Sequence, residues 1–432
     1  MAEINVITET TGKRIATALE NIVDKMPSGT VYEYGVAFEY GASSPTGKRA
    51  VRIDGELVVY DTCPDEYKYT PNYGGTVNEN PFDSVKNGKS MFSPQVWYDP
   101  LGNKFSRWSA FYVGYEYVTY NGVTYYVWWV CESAPSSIYH LPKAFRRSTG
   151  KQWKYVDIGC YEGTDATDSA TSTSYLASKS NGAKPSGMKT RGAFYNLAKA
   201  NATIRGIDTT AGTSEEWYGI TELSEITEIL QPLMAIMTLT KNSQSLYSGI
   251  CYLSWAEDNL VAVGSTDSIN ATSGTLAAST STGVATAGFK VFNIENIYGH
   301  VWKSILNLSL DEGVPYIADI EAWTYDATSD PSANTDIFEE CSYSVLSTSE
   351  VYVVDMGSDA GHTDVVLPIT GAGSSTTYYC DYYLVNASGP RNCYFGGSLS
   401  DGSFVGLFCW SCGGEPAGAA WSCGARLSHR SL

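Results

Sequence analysis

Apolar residues recur at helical spacing near the start of the chain. Ile15, Leu19, Ile22 and Met26 follow one another at intervals of three or four positions, and Pro27-Ser28-Gly29 comes directly after them. This pattern predicts an amphipathic helix that ends at the proline. Because a helix of this length is marginal in isolation, we expect it either to pair with copies of itself in a symmetric bundle or to dock on the chain's own core.

The same spacing predicts two further helices, one within residues 185–200 and one over residues 221–240. The second stretch contains Pro232. A proline inside a helix removes a backbone donor and clashes with the preceding turn. We therefore expect this helix to kink or break near Gln231.

Strand patterns occupy much of the rest of the chain. Residues 31–40 mix β-branched and aromatic side chains, and 110–119 and 123–131 do the same on either side of Asn121-Gly122. Asn-Gly supplies the two positive φ angles of a tight turn, so a β-hairpin is predicted there. The stretch 163–187 is rich in Thr, Ser, Ala, Asp and Gly, and we expect a polar loop or insertion.

The end of the chain shows neither helical nor strand periodicity. Residues 398–420 mix Gly, Ser, Cys, Phe, Trp, Glu and Pro, between the paired glycines Gly396-Gly397 and a strand-like segment at 421–427. We expect an irregular surface loop on a rigid frame in which hydrogen bonds hold Arg426. Loops of this kind commonly carry binding residues.

Composition and charge narrow the possible partners. Aromatic residues make up 13% of the chain, with 32 Tyr and 11 Trp. Tyr and Trp offer a large contact area at low entropic cost, which favours recognition surfaces, although an aromatic-rich β-protein would share this composition. The formal charge of -18 argues against nucleic acids and anionic membranes, since both attract basic patches.

Membrane and export signals are not found in the sequence. No run of about 18 apolar residues occurs, and the first residues lack the basic and apolar regions of a signal peptide. We therefore expect that the chain is made in a cytoplasm and that it does not insert into a membrane.

No residue pattern in the sequence is typical of catalysis or metal binding. The four histidines lack a ligand partner at helical spacing, and neither a nucleophile elbow nor a phosphate-binding loop occurs. Cys409-x-x-Cys412 has the spacing of half a zinc site, but no second close pair accompanies it. We expect no enzymatic activity, no cofactor and no metal, with both of these thiols exposed in the loop.

Several short motifs point to a known family. At the end of the chain, Gly396 begins a Gly-Gly-Ser-x-x-x-Gly pattern, followed by Gly406-Leu407-Phe408 and then by Gly424-Ala425-Arg426-Leu427. Upstream, residues 293–302 contain a Glu-Asn-x-x-Gly-x-Val-Trp segment. These motifs resemble phage and prophage proteins with a C-type-lectin-like fold. The formylglycine-generating enzyme and the variable receptor-binding proteins of diversity-generating retroelements share that fold.

Three substitutions depart from the family pattern. The family often has Trp where this chain has Leu399, and Asn and Glu where it has His300 and Lys303. Shorter matches support the resemblance at Tyr34-Gly35-Val36, Ser43-Ser44-Pro45, Pro81-Phe82-Asp83, 141–145 and 157–162.

The resemblance implies an α+β, C-type-lectin-like fold, in which twisted antiparallel sheets carry two helices and long loops after a short N-terminal helix. It divides the chain into an attachment or oligomerisation helix (1–29), a β-rich segment with the hairpin (30–150) and a ligand-binding domain (151–432). The variable-type loop segment of that domain is 396–427.

The resemblance also implies a function. It indicates a host-attachment protein of a phage virion, at the tail fibre or baseplate, that binds a glycan or protein receptor on a bacterial surface. We expect a homotrimer that contacts other tail proteins through its N-terminus. Two alternatives remain: a structural fibre or decoration protein of the virion, and an oxidase related to the formylglycine-generating enzyme, which holds copper with a cysteine pair.

The predicted binding residues are the side chains between the two ends of the C-terminal frame. Trp410 is the predicted anchor, because it follows the apolar run Gly406-Leu407-Phe408. The alternative is that Phe404, Trp410 and Trp421 belong to the core, since aromatic side chains are usually buried. The full set is Leu399, Ser400, Asp401, Ser403, Phe404, Cys409, Trp410, Ser411, Cys412, Glu415, Pro416 and Trp421.

Overall fold

Strands dominate the residues that the computed structural model describes, which are 31–64, 94–210, 212–270, 274–275, 288–321, 331–346 and 350–432. The predicted N-terminal helix and Pro81-Phe82-Asp83 lie outside these ranges. The described part combines several mainly antiparallel sheets with two α-helices. The fold is therefore α+β, as predicted.

The first large sheet has six strands and contains the predicted hairpin. In sheet order the strands are β3 (Glu56–Tyr60), β2 (Lys48–Ile53), β1 (Tyr32–Glu39), β7 (Val123–Cys131), β6 (Tyr112–Tyr120) and β8 (Tyr139–His140). Asn121 and Gly122 have φ angles of 49° and 81°, which confirms the hairpin between β6 and β7.

The second sheet places the C-terminal strand in its interior. In order, its strands are β12 (Glu216–Ile220), β26 (Leu427–Ser431), β9 (Tyr155–Gly159), β5 (Lys104–Ser109) and β4 (Gln95–Tyr98). Ser428 of β26 pairs with Gly219 on one side and Ile158 on the other. This sheet crosses the segment boundary that the sequence analysis placed at residue 150, because β4 and β5 belong to the same sheet as β9.

The third large sheet contains the central strand of the predicted loop segment. Its path is β18 (Phe338–Glu340), β17 (Val314–Ala318), β16 (Trp302–Asp311), β23 (Arg391–Phe395), β24 (Trp410–Gly414), β22 (Tyr382–Val385) and β19 (Val351–Tyr352). A short parallel strand, β25 (Cys423–Gly424), also pairs with β16.

Smaller elements complete the described residues. The stretch 163–187, predicted as a polar loop, contains the hairpin β10 (Thr164–Thr167) and β11 (Ser174–Ala177), and the last three residues of β11 are buried. The other short strands are β13 (Gly274–Thr275), β14 (Phe289–Val291), β15 (Ile294–Glu295), β20 (Asp355–Ser358) and β21 (Val366–Thr370). Single 3₁₀ turns occur at Lys143–Phe145, Ser243–Ser245, Glu257–Asn259 and Gly402–Phe404.

Both internal helices predicted from the sequence are confirmed. Helix α1 (Arg191–Arg205) begins after Thr190, whose hydroxyl accepts a hydrogen bond from Ala193 N, and it ends at Gly206 with φ 66°. The second is a π-helical turn, Glu225–Leu230, followed by helix α2 (Gln231–Thr238). The helical backbone continues through Gln231, with φ -62° and ψ -53°, so the chain does not break there. The helix changes from π to α at this point, and Pro232 fits the first turn of the α-helix.

These helices cover the sheets and build two cores. Phe194 and Tyr195 of α1 pack with Phe105, Tyr218 and Leu427 of the second sheet. The larger core joins α2 and the π-helical turn to the first and third sheets. Across the described residues, no helix is both long enough and apolar enough to cross a bilayer.

Candidate ligand-binding face

Two glycines hold the start of the C-terminal loop segment. Gly396 and Gly397 have φ angles of 92° and 79°, a region that favours glycine. A Cβ on Gly397 would lie 2.5 Å from Val405 Cγ2, so the chain cannot accept a side chain there without moving. This confirms that the paired glycines form part of the frame.

Arg426 anchors the other end of the frame. Its guanidinium donates to the carbonyl oxygens of Gly159 (2.9 Å), Glu295 (2.7 Å) and Asn296 (3.2 Å), and the residue is 2% exposed. The expectation that hydrogen bonds hold this arginine is confirmed. Its three acceptors belong to two segments that are distant in sequence, so Arg426 joins the end of the chain to both.

A buried ionic cluster lies behind this frame. Glu162 Oε2 is 2.5 Å from His300 Nδ1, and Glu162 Oε1 is 3.2 Å from Lys303 Nζ. Burial opposes the charged form of Glu162, but the hydrogen bond from His300 Nδ1 and the positive charge of Lys303 outweigh it and lower the pKa of Glu162 to about 2. His300 Nε2 accepts from Val261 N at 2.9 Å. Both ring nitrogens of His300 are thus used in holding the structure together.

Four residues predicted to face solvent are buried instead. Leu399, Cys409, Trp410 and Cys412 are each 0% exposed, so the prediction that they line the surface, with Trp410 as anchor, is wrong. For Trp410 and Cys412 the reason is that β24 pairs with β23 and β22 inside the third sheet. Leu399 packs with Ile250, Leu260 and Val301 instead. Trp410 and Cys412 point into the large core, while Cys409 packs with Trp302 and Tyr394 on the opposite side.

The two thiols of the Cys-x-x-Cys motif are therefore not exposed. Burial raises the pKa of both Cys409 and Cys412 well above the ordinary value, which disfavours the thiolate that binds metals. All cysteines within the described residues are free. Those residues also contain no group of three or more His, Cys, Asp or Glu placed to hold a metal ion.

Two parts of the predicted segment are exposed: the short turn around Phe404, and positions 415, 417 and 419 beyond β24. Phe404 is 38% exposed and stacks on Tyr382, with ring centroids 4.1 Å apart and planes at 17°. Tyr352 meets both rings edge-on, and its hydroxyl lies 3.0 Å from Ser403 Oγ. Three aromatic rings and a serine hydroxyl therefore share one surface.

A second aromatic pair lies beside the same loop. Trp255 is 56% exposed, and its ring centroid is 4.6 Å from that of the half-buried Trp421. Two backbone hydrogen bonds tie the segment before Trp255 to the loop, Leu253 N to Leu399 O (2.8 Å) and Gly402 N to Cys251 O (2.7 Å). We call the combined surface the C-terminal aromatic face; its aromatic residues are Tyr252, Trp255, Tyr352, Tyr382, Phe404 and Trp421.

Polar side chains fix the shape of the turn. Asp401 Oδ2 accepts from Ser398 N (2.7 Å) and Ser398 Oγ (2.8 Å), so this carboxylate is already engaged. Gln244 Nε2 donates to Gly402 O (2.9 Å) and Val405 O (2.7 Å). A loop held by such bonds keeps its aromatic rings in place before any ligand arrives, which lowers the entropic cost of binding.

The remaining predicted residues do not all join this face. Ser400 is half-buried next to Asp401 in the turn. Glu415 and Pro416 follow the far end of β24, where their carbonyl oxygens accept from Asn392 Nδ2. At about 3.3 Å per residue along a strand, they lie roughly 15 Å from the beginning of β24, and Ser411 lies between.

Four aromatic members of the face were missed from the sequence. Tyr252 and Trp255 belong to Cys251-Tyr-Leu-Ser-Trp255, where aromatic and small residues mix as they do in the C-terminal loop, and this likeness was a usable signal. The sequence contains no comparable signal for Tyr352 and Tyr382. They lie on β19 and β22, and these two strands pair only in the tertiary fold.

Comparison with known proteins adds no relative: no protein-family model and no curated protein matches this chain.

Proposed function

We propose that this protein is a receptor-binding protein of a phage or prophage, built on a C-type-lectin-like fold, that presents the C-terminal aromatic face to a bacterial surface. The observation that supports it is the exposed cluster of rings on a turn fixed by hydrogen bonds. Tyr, Trp and Phe that remain in water beside small polar residues are typical of binding surfaces, where a few anchors provide most of the energy.

The position of this face agrees with the family resemblance. In the variable proteins of the family, the terminal segment is the ligand-binding surface, and here Phe404 and Trp421 come from that segment. The paired glycines and Arg426 frame it. The α+β content and the two helices are what such a fold requires.

The two alternative functions make different demands on the molecule. A purely structural virion protein needs no exposed aromatic face, and we therefore rank it second. An oxidase that holds copper with a cysteine pair needs accessible thiolates, and the burial of Cys409 and Cys412 gives that alternative no support.

Binding of the labelled, purified protein to whole host cells tests the proposal. Phe404→Ala should weaken binding at least tenfold, about 1.4 kcal/mol, because it removes the ring at the centre of the face. Tyr98→Ala is the matched control, since Tyr98 is an exposed aromatic residue on β4 outside the face. Circular dichroism should show both variants folded.

Two results would contradict this proposal. One is unchanged cell binding in a Phe404→Ala/Trp421→Ala double variant that is correctly folded. The other is the absence of any cell binding by the unaltered protein, which would favour the structural alternative.

A further inference from the structure

A large cleft lies between the first sheet and the segment 354–360. Its volume is about 780 Å³, within the roughly 300–1,000 Å³ range of small-molecule sites. Strands β1, β6 and β7 supply one wall, and the segment that includes β20 supplies the other. None of the residues that line it belongs to the C-terminal aromatic face. We call it the aromatic cleft.

Aromatic rings line the aromatic cleft from its mouth to its floor. Tyr40 and Tyr117, 66% and 62% exposed, meet edge-on at 5.3 Å, and Tyr117 lies 4.8 Å from Tyr126. Deeper, Trp128 and Tyr379 are 6% and 5% exposed and form the floor. The wall is therefore continuous, and its outer rings remain in solvent.

A single lysine lies among the floor residues. Lys241 Nζ is 4.4 Å from the ring centroids of both Phe38 and Tyr379 and 5.7 Å from that of Trp128. Its backbone N donates to Pro45 O at 3.0 Å, immediately after the end of α2. The ammonium thus lies against three aromatic rings, and the backbone around it is fixed.

This ammonium has no polar partner within the described part of the chain. No hydrogen bond is made by Lys241 Nζ, and no described carboxylate lies within 4.0 Å of it. Burial lowers the pKa of Lys241 to about 8, while the nearby Asp355 opposes that shift. At neutral pH the group is still mainly protonated, so a partly buried positive charge faces the cleft without a counter-ion.

The carboxylates around the cleft do not serve as the counter-ion of Lys241. Glu228 accepts from His140, Ser224, Thr363 and the backbone of Lys143, so its oxygens are already used. Asp359 accepts from residue 342 and from backbone amides of its own turn. Glu39 and Asp355 are exposed at the mouth.

Phenol groups add donors along the aromatic wall. Among the described residues, the hydroxyls of Tyr115, Tyr126 and Tyr379 make no hydrogen bond. Burial raises the pKa of all three well above the ordinary value, so they stay protonated at neutral pH and can donate. The wall therefore combines apolar ring faces with unused hydroxyl groups.

The two residues on either side of Tyr379 have an unfavourable backbone conformation. Its neighbours Tyr378 and Cys380 have φ angles of 57° and 61°, which are rare for side chains of this size. Tyr378 N donates to Ser43 O at 2.7 Å and so secures the turn. Strain of this kind costs about 1 kcal/mol or more per residue and is concentrated at functional sites.

We propose that the aromatic cleft binds a saccharide that carries a carboxylate, with the carboxylate paired to Lys241 and sugar rings stacked on Tyr117 and Tyr126. The apolar C–H face of a sugar ring matches the tyrosine faces, and its hydroxyls match the unused phenols. The carboxylate supplies the counter-ion that Lys241 lacks. A cationic ligand is disfavoured, because Lys241 already occupies the space among the three rings. This inference is independent of the function proposed for the C-terminal aromatic face.

An array of uronate- and sialate-containing oligosaccharides, each beside its carboxyl-reduced counterpart, tests this assignment. The full chain should bind at least one acidic saccharide about tenfold or more tightly than its reduced form. Lys241→Met keeps the apolar stem and should abolish that preference. Tyr117→Ala, at a mainly exposed position, should weaken binding of both forms, whereas Phe404→Ala should change neither.

One further variant distinguishes a specific effect on binding from the effect of misfolding. Asp355→Asn removes a negative charge at the mouth of the cleft and should strengthen binding of the acidic saccharide several-fold, a gain that a misfolded protein cannot produce. The proposal is overturned if no saccharide on the array binds. It is also overturned if acidic and reduced forms bind equally well, or if folded Lys241→Met keeps the preference.

Discussion

Glu162 is a residue whose ionisation should influence the stability of the whole fold. Its pKa in the folded protein, about 2, lies below the ordinary value of 4.5, because His300 and Lys303 overcome the effect of burial. The stabilisation is therefore present above about pH 4.5 and is lost as the pH falls towards 2. Between about pH 5 and about pH 3, this group alone should reduce the free energy of unfolding by about 2 kcal/mol.

Urea unfolding of Glu162→Gln at several pH values tests this prediction. The variant should be less stable at neutral pH, since Lys303 loses its carboxylate, but it should lose less stability on acidification than the unaltered protein. The exposed Glu56→Gln is the control and should retain the original pH dependence. Parallel pH curves for Glu162→Gln and the unaltered protein would disprove the assignment.

Trp410 and Phe404 show the limit of sequence reasoning at the residue scale. Both are aromatic residues among glycines, serines and cysteines, yet Trp410 is 0% exposed and Phe404 is 38% exposed. The difference arises because Trp410 begins a strand that two neighbours enclose, whereas Phe404 belongs to a 3₁₀ turn at the surface. Local composition is the same for both, so it does not distinguish them.

At the scale of elements, the turn between β6 and β7 offers a clean test of backbone conformation. Gly122 has φ 81°, and a Cβ added there would meet nothing within 4 Å. Gly122→Ala should therefore destabilise the protein only through backbone strain, by about 1 kcal/mol. Asn121→Gly, in the same turn, should change the free energy of unfolding by no more than about 0.5 kcal/mol. Chemical denaturation measures both, and equal stability of Gly122→Ala and the unaltered protein would contradict the turn geometry.

The second helix shows what an apolar pattern leaves out. The spacing of leucines and isoleucines over 221–240 correctly indicated a helix, and at Gln231, where the proline suggested a kink or break, the helix continues but changes from π to α. The pattern did not indicate that Glu225, Glu228 and Gln231 are buried as well. Their burial depends on partners such as Arg430, which donates to Glu225 at 2.6 Å from a strand some two hundred residues away.

At the scale of the whole molecule, the proposed attachment role favours several copies. Multivalent binding raises avidity without new contacts, and the apolar stripe predicted in residues 1–29 needs a partner surface. We expect a homotrimer in solution whose assembly requires residues 1–26. Light scattering of the full chain and of a chain without these residues measures this. A monomer at micromolar concentration in both would rule the expectation out.

The two proposed binding surfaces also differ in their origin along the chain. The C-terminal aromatic face combines residues from four segments that follow position 250, whereas the aromatic cleft joins the first sheet to Lys241 and to residues beyond 350. An aromatic-rich composition indicated recognition in general. It did not indicate where the rings would meet, because each surface needs strands that are distant in sequence.

The sequence by itself determined those features that depend on neighbouring residues: the hairpin at Asn121-Gly122, the two internal helices and the glycine-bounded frame of the terminal loop. Turn chemistry, helical periodicity and glycine conformations act over a few residues, so they are visible in the chain. Only the tertiary structure decided that β24 lies inside a sheet, that the thiols of Cys409 and Cys412 are buried, and that Lys241 faces a cleft of tyrosines without a counter-ion. Burial and electrostatic environment depend on contacts between distant segments, and no local pattern records them.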